Sequence, residues 1–269
     1  MLVHKRAPSE REHGGKPIEW RLVQRMSGPA DGQVGPVTRA VLAGAGTVRD
    51  DRDLAERVCR ACLTGQDVDG AALMLRPASV AREMLWASDG TATLLDELEF
   101  SLGEGACTEA AASGRPVLVP DVCDTADACR WPVFAAAVVE RTPARALFAL
   151  PLQWGPVNLG VLHLYRRTPG SLPPDQRGDA LRAASAATSM MLGSRTDPGD
   201  SPWLDAGIGN RAEVHQATGM VLAQLGISAT EALARMRAHA FSEQRLLTDV
   251  AHDIVCRRLR FTPDPSSFD

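Results

Sequence analysis

Between residues 211 and 261 apolar side chains recur every three or four positions in three successive runs, with stop signals between them. Val214, Ala217, Val221 and Leu225 form the first stripe, and Gly226 follows where a left-handed C′ residue ends a helix. Ser228 opens the second run. Its hydroxyl and the Glu231 carboxylate stand at the spacing of a reciprocal capping box, ahead of a stripe through Ala229, Ala232, Leu233, Met236 and Ala240. The third helix is expected from about Ser242, with Leu247, Val250, Ala251, Ile254 and Val255 on one side and Arg245, Thr248, Asp249, His252 and Arg257 on others. Three such stripes can bury one another in a small bundle, which by pattern alone is equally a packing or dimerising tail.

The preceding part of the chain has a different rhythm. Residues 1–36 mix charge, Gly and Pro without a period, and are expected to form a disordered leader. A helix is predicted over 37–47, and Asp53 with Glu56 reads as a capping box opening a second helix through Leu54, Val58, Ala61 and Cys62. The short apolar run 70–75, broken by Arg76-Pro77, suits a buried strand, with 81–87 returning as its antiparallel partner. Next come a helix over 91–100, a loop over 101–107 entering a short helix through Ala110 and Ala111, and a strand over 117–119. Trp131-Pro132 starts a helix through Val138; strands 144–152 and 157–165 turn around Trp154-Gly155-Pro156; a long helix over 175–192 closes the region. This order predicts an α+β layer, an antiparallel sheet covered by helices, followed by the all-α three-helix unit. Asp197-Pro-Gly-Asp-Ser-Pro202 is polar and turn-rich, which divides the chain into domains over 37–195 and 209–262 joined by a linker over 196–208.

A length of 269 residues agrees with two domains. The net charge of −4 argues against a chain that coats nucleic acid or an anionic membrane through bulk electrostatics. Within 211–261, seven arginines stand against five acidic residues, so any nucleic-acid contact rests on a few placed groups. No run approaches the ~18 apolar residues of a membrane helix, and the amino end lacks the apolar core of a signal peptide, so a cytoplasmic protein is expected. Six cysteines in a chain of this size are expected as thiols.

The residues themselves narrow the reading. His215-Gln216-Ala217-Thr218-Gly219-Met220, then Ala232-Leu233, Arg237-Ala238 and Asp249-Val250-Ala251, resemble the ANTAR domain, the three-helix RNA-binding module of transcription antitermination regulators. Gly103-Glu-Gly105-Ala-Cys107, Gly114-Arg-Pro116-Val117, Val119-Pro-Asp121, Arg130-Trp-Pro-Val-Phe134, Ala149-Leu-Pro151-Leu152 and Leu159-Gly-Val-Leu162-His-Leu164 resemble the GAF half of actinobacterial GAF–ANTAR regulators, in that family's order. The resemblance implies a GAF domain as signal input and an ANTAR domain that binds paired stem-loops with six-base loops, preventing formation of a terminator. It also implies action on RNA polymerase only indirectly. Two stem-loops per target and a helical GAF edge point to a homodimer, with helices 37–63 and 175–192 as its surface.

For the RNA contact, His215, Gln216 and Thr218 offer donors and acceptors around Gly219, where a nucleotide can approach the backbone; Gly219 is equally explained by close helix packing. The family carries Lys or Thr at the Thr218 position, so a hydroxyl stands here where a cation is possible. Ser242, Gln244 and Arg245, with Thr248 close by, would form a phosphate and base clamp at the start of the third helix. Arg211, Arg237, Arg257 and Arg258 are possible phosphate contacts.

Sites in the first half are weaker. Cys59-Arg-Ala-Cys62 lacks the second pair that zinc would require, and Cys123 and Cys129 have no matching His, so no metal site is expected and no cofactor is implied. Cys107 follows Gly103-x-Gly105 and is either a small buried residue or a thiol near a helix start; His163, inside an apolar strand, is a core histidine or a ligand. No phosphate loop or acid–base constellation gives catalysis a seat, so no enzyme is expected. Two rival readings are a DNA-binding helix-turn-helix with a GAF sensor, and a GAF-type thiol enzyme resembling a methionine sulfoxide reductase, acting through Cys107, Cys123 and Cys129.

Overall fold

The computed structural model describes residues 34–75, 83–155, 157–193 and 211–262, and the expected leader and linker lie outside them. Strands β1 (Gly70–Leu75), β2 (Glu83–Ala87), β3 (Val117–Val119), β4 (Ala146–Trp154) and β5 (Val157–Arg166) form a sheet in the order β2-β1-β5-β4-β3. All neighbours are antiparallel; the β1–β2 and β4–β5 pairs are the two read from the chain. Every residue of β1 is buried, because helices cover both faces of the sheet, and this is why Gly70–Leu75 reads as a continuous apolar run instead of an alternation.

On one face lie α1 (Pro36–Ala43), α2 (Asp51–Gly65) and, late in the chain, α7 (Pro174–Gly193). The opposite face carries α3 (Gly90–Leu102), α4 (Ala106–Ser113), α5 (Thr125–Arg130) and α6 (Pro132–Arg141). Its core joins Ala72, Met74, Leu147, Ala149, Val161 and Tyr165 of the sheet to Leu95, Leu98, Ala110, Phe134 and Val138 of the helices.

Two local expectations need correction. The cap of α2 is Asp50, whose carboxylate accepts from the Asp53 amide at 2.7 Å, so the helix starts before the expected Asp53 cap and Asp53 pairs with Arg49 and Arg57 instead. Helix α5 falls in a stretch to which the sequence pattern assigns no element. In α1, the N-terminal amides of Val37 and Thr38 donate to Asp179 of α7, a buried carboxylate doing across the fold what a neighbouring cap residue usually does. Cys59 and Cys62 face inward on α2. Burial holds both thiols protonated, raising Cys62 to about 12 with help from Asp179 and Cys59 well above its ordinary value.

The C-terminal unit comprises α8 (Ala212–Leu225), α9 (Ala229–Ser242) and α10 (Leu247–Val255). Gly226 closes α8 at φ 66°, and the Ser228–Glu231 capping box opens α9 with both reciprocal bonds made. The predicted stripes meet: Val214, Ala217, Val221, Ala232, Met236, Ala240, Leu247, Val250, Ala251 and Ile254 are buried together. α10 starts five residues later than expected, for reasons that lie in the first domain. No helix among the described residues is long and apolar enough to cross a membrane.

Candidate nucleic-acid interface

Helix α3 presents two faces. Leu95 and Leu98 pack into the core beneath the sheet, whereas Asp96, Glu97, Phe100 and Ser101, related by i,i+4 spacing, meet the three-helix unit. Arg211, only 6% exposed, donates to the Asp96 carboxylate at 2.6 Å, and its guanidinium lies 3.6 Å from the centre of the Phe100 ring. Phe100 itself belongs to the core of the C-terminal unit.

Arg237 lies across the C-terminal end of α3. Its Nε donates to the Phe100 carbonyl at 3.2 Å, where a cation suits the negative end of the helix. The chain leaves α3 through Gly103 at φ 73°, and even a Cβ there would come within 3.4 Å of the Arg237 guanidinium. Thr248 donates to Glu97 at 2.9 Å, and burial pushes the Glu97 carboxyl above its ordinary value while the Thr248 bond draws it back.

The Leu247 amide donates to the Ser101 hydroxyl at 2.9 Å. This corrects the expected phosphate and base clamp. The N-cap of α10 is Leu246, which has no side-chain acceptor to offer, so a serine of α3 takes that role. Ser242 is the last residue of α9, and its hydroxyl donates to the His239 carbonyl. Residues 243–245 form the C-terminal turn of α9: the Gln244 amide donates to Phe241 and the Arg245 amide to Ala240, the paired bonds of a Schellman motif. Arg245 donates to Asp253 at 2.6 Å, and that bond, with help from Arg258, holds the Asp253 carboxyl below its ordinary range.

Of the other candidates, His215, Gln216 and Gly219 lie exposed on α8, and nothing stands within 4 Å of where a Gly219 Cβ would be, so close packing does not explain that glycine. Thr218 is a correction: it is buried, and its hydroxyl donates to the Val214 carbonyl and meets the Met236 sulfur. Gln244 and Arg257 are exposed and occupy left-handed backbone at φ 53° and 59°. Arg257 ends α10 through the same Schellman pattern, its amide donating to Ile254 and that of Arg258 to Asp253. Both are C′ positions that ordinarily favour Gly. Sequence reasoning missed Phe241, 59% exposed beside this turn; its signal is an aromatic residue off the apolar stripe of α9.

In the first domain, Cys107 lies in the first turn of α4 and His163 on β5, both buried. With Glu99 of α3, which the sequence did not single out, they bring a sulfur, an imidazole nitrogen and a carboxylate oxygen within 4.8 Å of one another. Cys123 and Cys129 are exposed, so the three thiols of the thiol-enzyme reading do not share one environment. The first residues of α10, those a recognition helix would turn to the bases, are engaged by α3 just as the candidate RNA contacts are, so this contact does not separate duplex DNA from RNA.

A helix-covered antiparallel sheet whose helix α3 holds a three-helix bundle defines a two-module chain. The family model for the GAF domain matches residues 48–192, and the chain belongs to that family. The ANTAR domain model matches residues 204–255. GAF domains are signalling and sensor modules, and ANTAR is an RNA-binding antitermination domain family, so the chain is assembled from regulatory, non-catalytic modules.

Among solved structures, the chain is similar to the GAF domain of an Acinetobacter phosphoenolpyruvate-protein phosphotransferase, at 11% identity over 61% of this chain and 96% of that one, with a TM-score of 0.48. The corresponding GAF domain from Coxiella burnetii is similar at 10% identity over 66% and 97%, with a TM-score of 0.48. The free methionine-R-sulfoxide reductase from Neisseria meningitidis is similar at 15% identity over 59% and 88%, with a TM-score of 0.42. No curated protein matches the chain.

Proposed function

We propose that this protein is a transcription antitermination regulator: a GAF sensor domain over 37–195, a linker over 196–208 and an ANTAR domain over 209–262 that binds paired hexaloop stem-loops in nascent RNA and prevents terminator formation. It acts as a cytoplasmic homodimer, with one hairpin per ANTAR domain and the helices 37–63 and 175–192 as the contact between copies. RNA polymerase is affected only through the RNA.

One observation carries the regulatory part of this reading. Arg211, Arg237 and Thr248, three of the candidate RNA contacts, are engaged by α3 of the GAF domain. Docking on the sensor and access to RNA therefore compete for the same side chains, and the arrangement described is the restrained one. His215, Gln216, Gly219, Ser242, Gln244 and Arg257 remain at the surface for the first encounter. Gln244 and Arg257 hold left-handed backbone that costs a non-glycine residue roughly 1–2 kcal/mol, and such strain persists where a side chain is needed for function. Phe241 adds an exposed ring beside Gln244 on which an unpaired base can stack.

Fluorescence-anisotropy titration of the full chain with tandem hexaloop hairpins, with the same stems closed by unrelated loops, and with duplex DNA tests the reading. Preference for the hexaloop pair, weakened about tenfold or more by Arg257→Ala and Phe241→Ala, is expected from the loss of a phosphate contact and a stacked base. Equal binding to duplex DNA would return the helix-turn-helix reading. Thiol-dependent turnover of a small sulfoxide with no RNA binding would return the thiol enzyme.

A further inference from the structure

The Glu99, Cys107 and His163 cluster lies outside the nucleic-acid interface and is buried completely or nearly so, at 0%, 0% and 2% exposure. The three residues come from α3, α4 and β5, so the tertiary fold, and no single segment, brings them together. Each carries a different ligating atom, and the three atoms lie within 4.8 Å of one another. We propose that this cluster binds a borderline divalent transition-metal ion of the zinc class.

The local construction is that of a held ligand set. Glu99 accepts from the amides of Cys107 and Thr108 at 3.0 and 2.9 Å and from the Thr108 hydroxyl at 3.3 Å. Those bonds fix the carboxylate's orientation in the way that ligating carboxylates are fixed by outer hydrogen bonds. Gly105 makes the approach possible: at φ 137° it turns the chain beside Glu99, and a Cβ there would lie 2.5 Å from the Glu99 Cγ. The Gly103-x-Gly105-x-Cys107 phrase thus acquires a reason, since the second glycine lets the carboxylate and the thiol share one corner.

Cys107 sits in the first turn of α4, and a coordinated divalent ion would itself displace the thiol proton. The cross-strand neighbours of His163 are Ala72 on β1 and Ala149 on β5's other partner, β4, both with small side chains.

Chemistry selects the class of ion. Sulfur, nitrogen and oxygen in one set suit zinc-like ions, whereas magnesium and calcium take oxygen alone. Tetrahedral bonds of ordinary zinc length put ligand atoms about 3.3–3.6 Å apart, so atoms that lie within 4.8 Å of one another have to close by up to roughly 1.2–1.5 Å. Three protein ligands leave the fourth tetrahedral position to a water or a small anion. Loading releases the protons the ligands carry, so binding strengthens as pH rises.

The test uses the full chain refolded or expressed with cobalt(II) as a spectroscopic stand-in for zinc. One equivalent of cobalt should bind and give a thiolate-to-cobalt charge-transfer band in the near ultraviolet. Cys107→Ala should abolish that band, and His163→Gln should weaken cobalt binding by more than about 100-fold, beyond the cost of losing an outer partner of a ligand. A Cys123→Ser/Cys129→Ser/Cys256→Ser variant, which removes the exposed thiols, should bind as the wild type does. Zinc should raise the melting temperature of the wild type and of that triple variant. The proposal is overturned if the folded wild type binds neither ion, or if the band survives Cys107→Ala and disappears with the exposed thiols. Neither result depends on RNA binding, so the site stands or falls apart from the proposed function.

Discussion

Asp96→Ala tests the restraint without altering any residue of the ANTAR domain. The Asp96 and Arg211 side chains are 1% and 7% exposed and meet at 2.6 Å, so removing the carboxylate leaves a guanidinium in a site with little water to solvate it. Breaking such a pair from one side costs about 3–5 kcal/mol. The folded chain can avoid that cost by releasing the bundle and letting Arg211 reach solvent. At about 1.4 kcal/mol per factor of ten, the docking equilibrium then shifts by roughly two to nearly four orders of magnitude. The apparent RNA affinity rises by as much as the wild-type docked population had suppressed it.

Two measurements read this out. Hydrogen exchange at the Leu247 amide, protected by Ser101 in the docked state, should accelerate in Asp96→Ala, and anisotropy with tandem hairpins should show tighter binding. Circular dichroism checks that helix content is kept. If Asp96→Ala keeps the Leu247 amide protected, or exposes it while RNA binding stays the same or weakens, the competition between docking and RNA is refuted.

Ser101→Ala removes the acceptor that caps α10 and should cost about 1 kcal/mol in urea unfolding, within the range for lost N-caps. Gln244→Gly relieves left-handed backbone and should stabilise the fold by roughly 1 kcal/mol while weakening RNA binding; a gain in both would remove Gln244 from the interface. Above pH 9 the unfolded chain ionises its cysteines while folded Cys62, raised to about 12, and Cys59 stay protonated, so the unfolded state holds fewer protons. Stability should therefore fall between about pH 9 and 12, by up to about 1.4 kcal/mol per pH unit for each thiol, and Cys62→Ala should remove its share of that slope in urea titrations at stepped pH.

Features whose partners lie within a few residues were legible in the chain. Gly226 and the Ser228–Glu231 box mark their helix ends through contacts no more than four residues away, and the apolar runs at 70–75 and 157–165 carry their strands in composition alone. Errors arose where the deciding partner is remote. Ser242 resembles a helix start, yet the hydroxyl that caps α10 comes from Ser101, 146 positions earlier in the chain. The docked partner of Arg211 is out of sight for the same reason, since Asp96 lies 115 positions away.

Glu99 carries no signal in the chain, because a carboxylate on a helix usually faces water; only the tertiary fold turns it toward Cys107. Thr218 is hard to place for a related reason: its polarity suggests a surface, but a hydroxyl that donates to its own helix can be buried at little cost.

The contact between α3 and the bundle is made within one polypeptide, so its occupancy is the same whether a cell holds ten copies or ten thousand. A repressor supplied as a separate protein would need its abundance matched to its target, and a shift in expression would mis-set the response. Under the proposed competition, the threshold is set by side chains such as Asp96, Phe100 and Ser101, and single substitutions there retune it without touching the promoter.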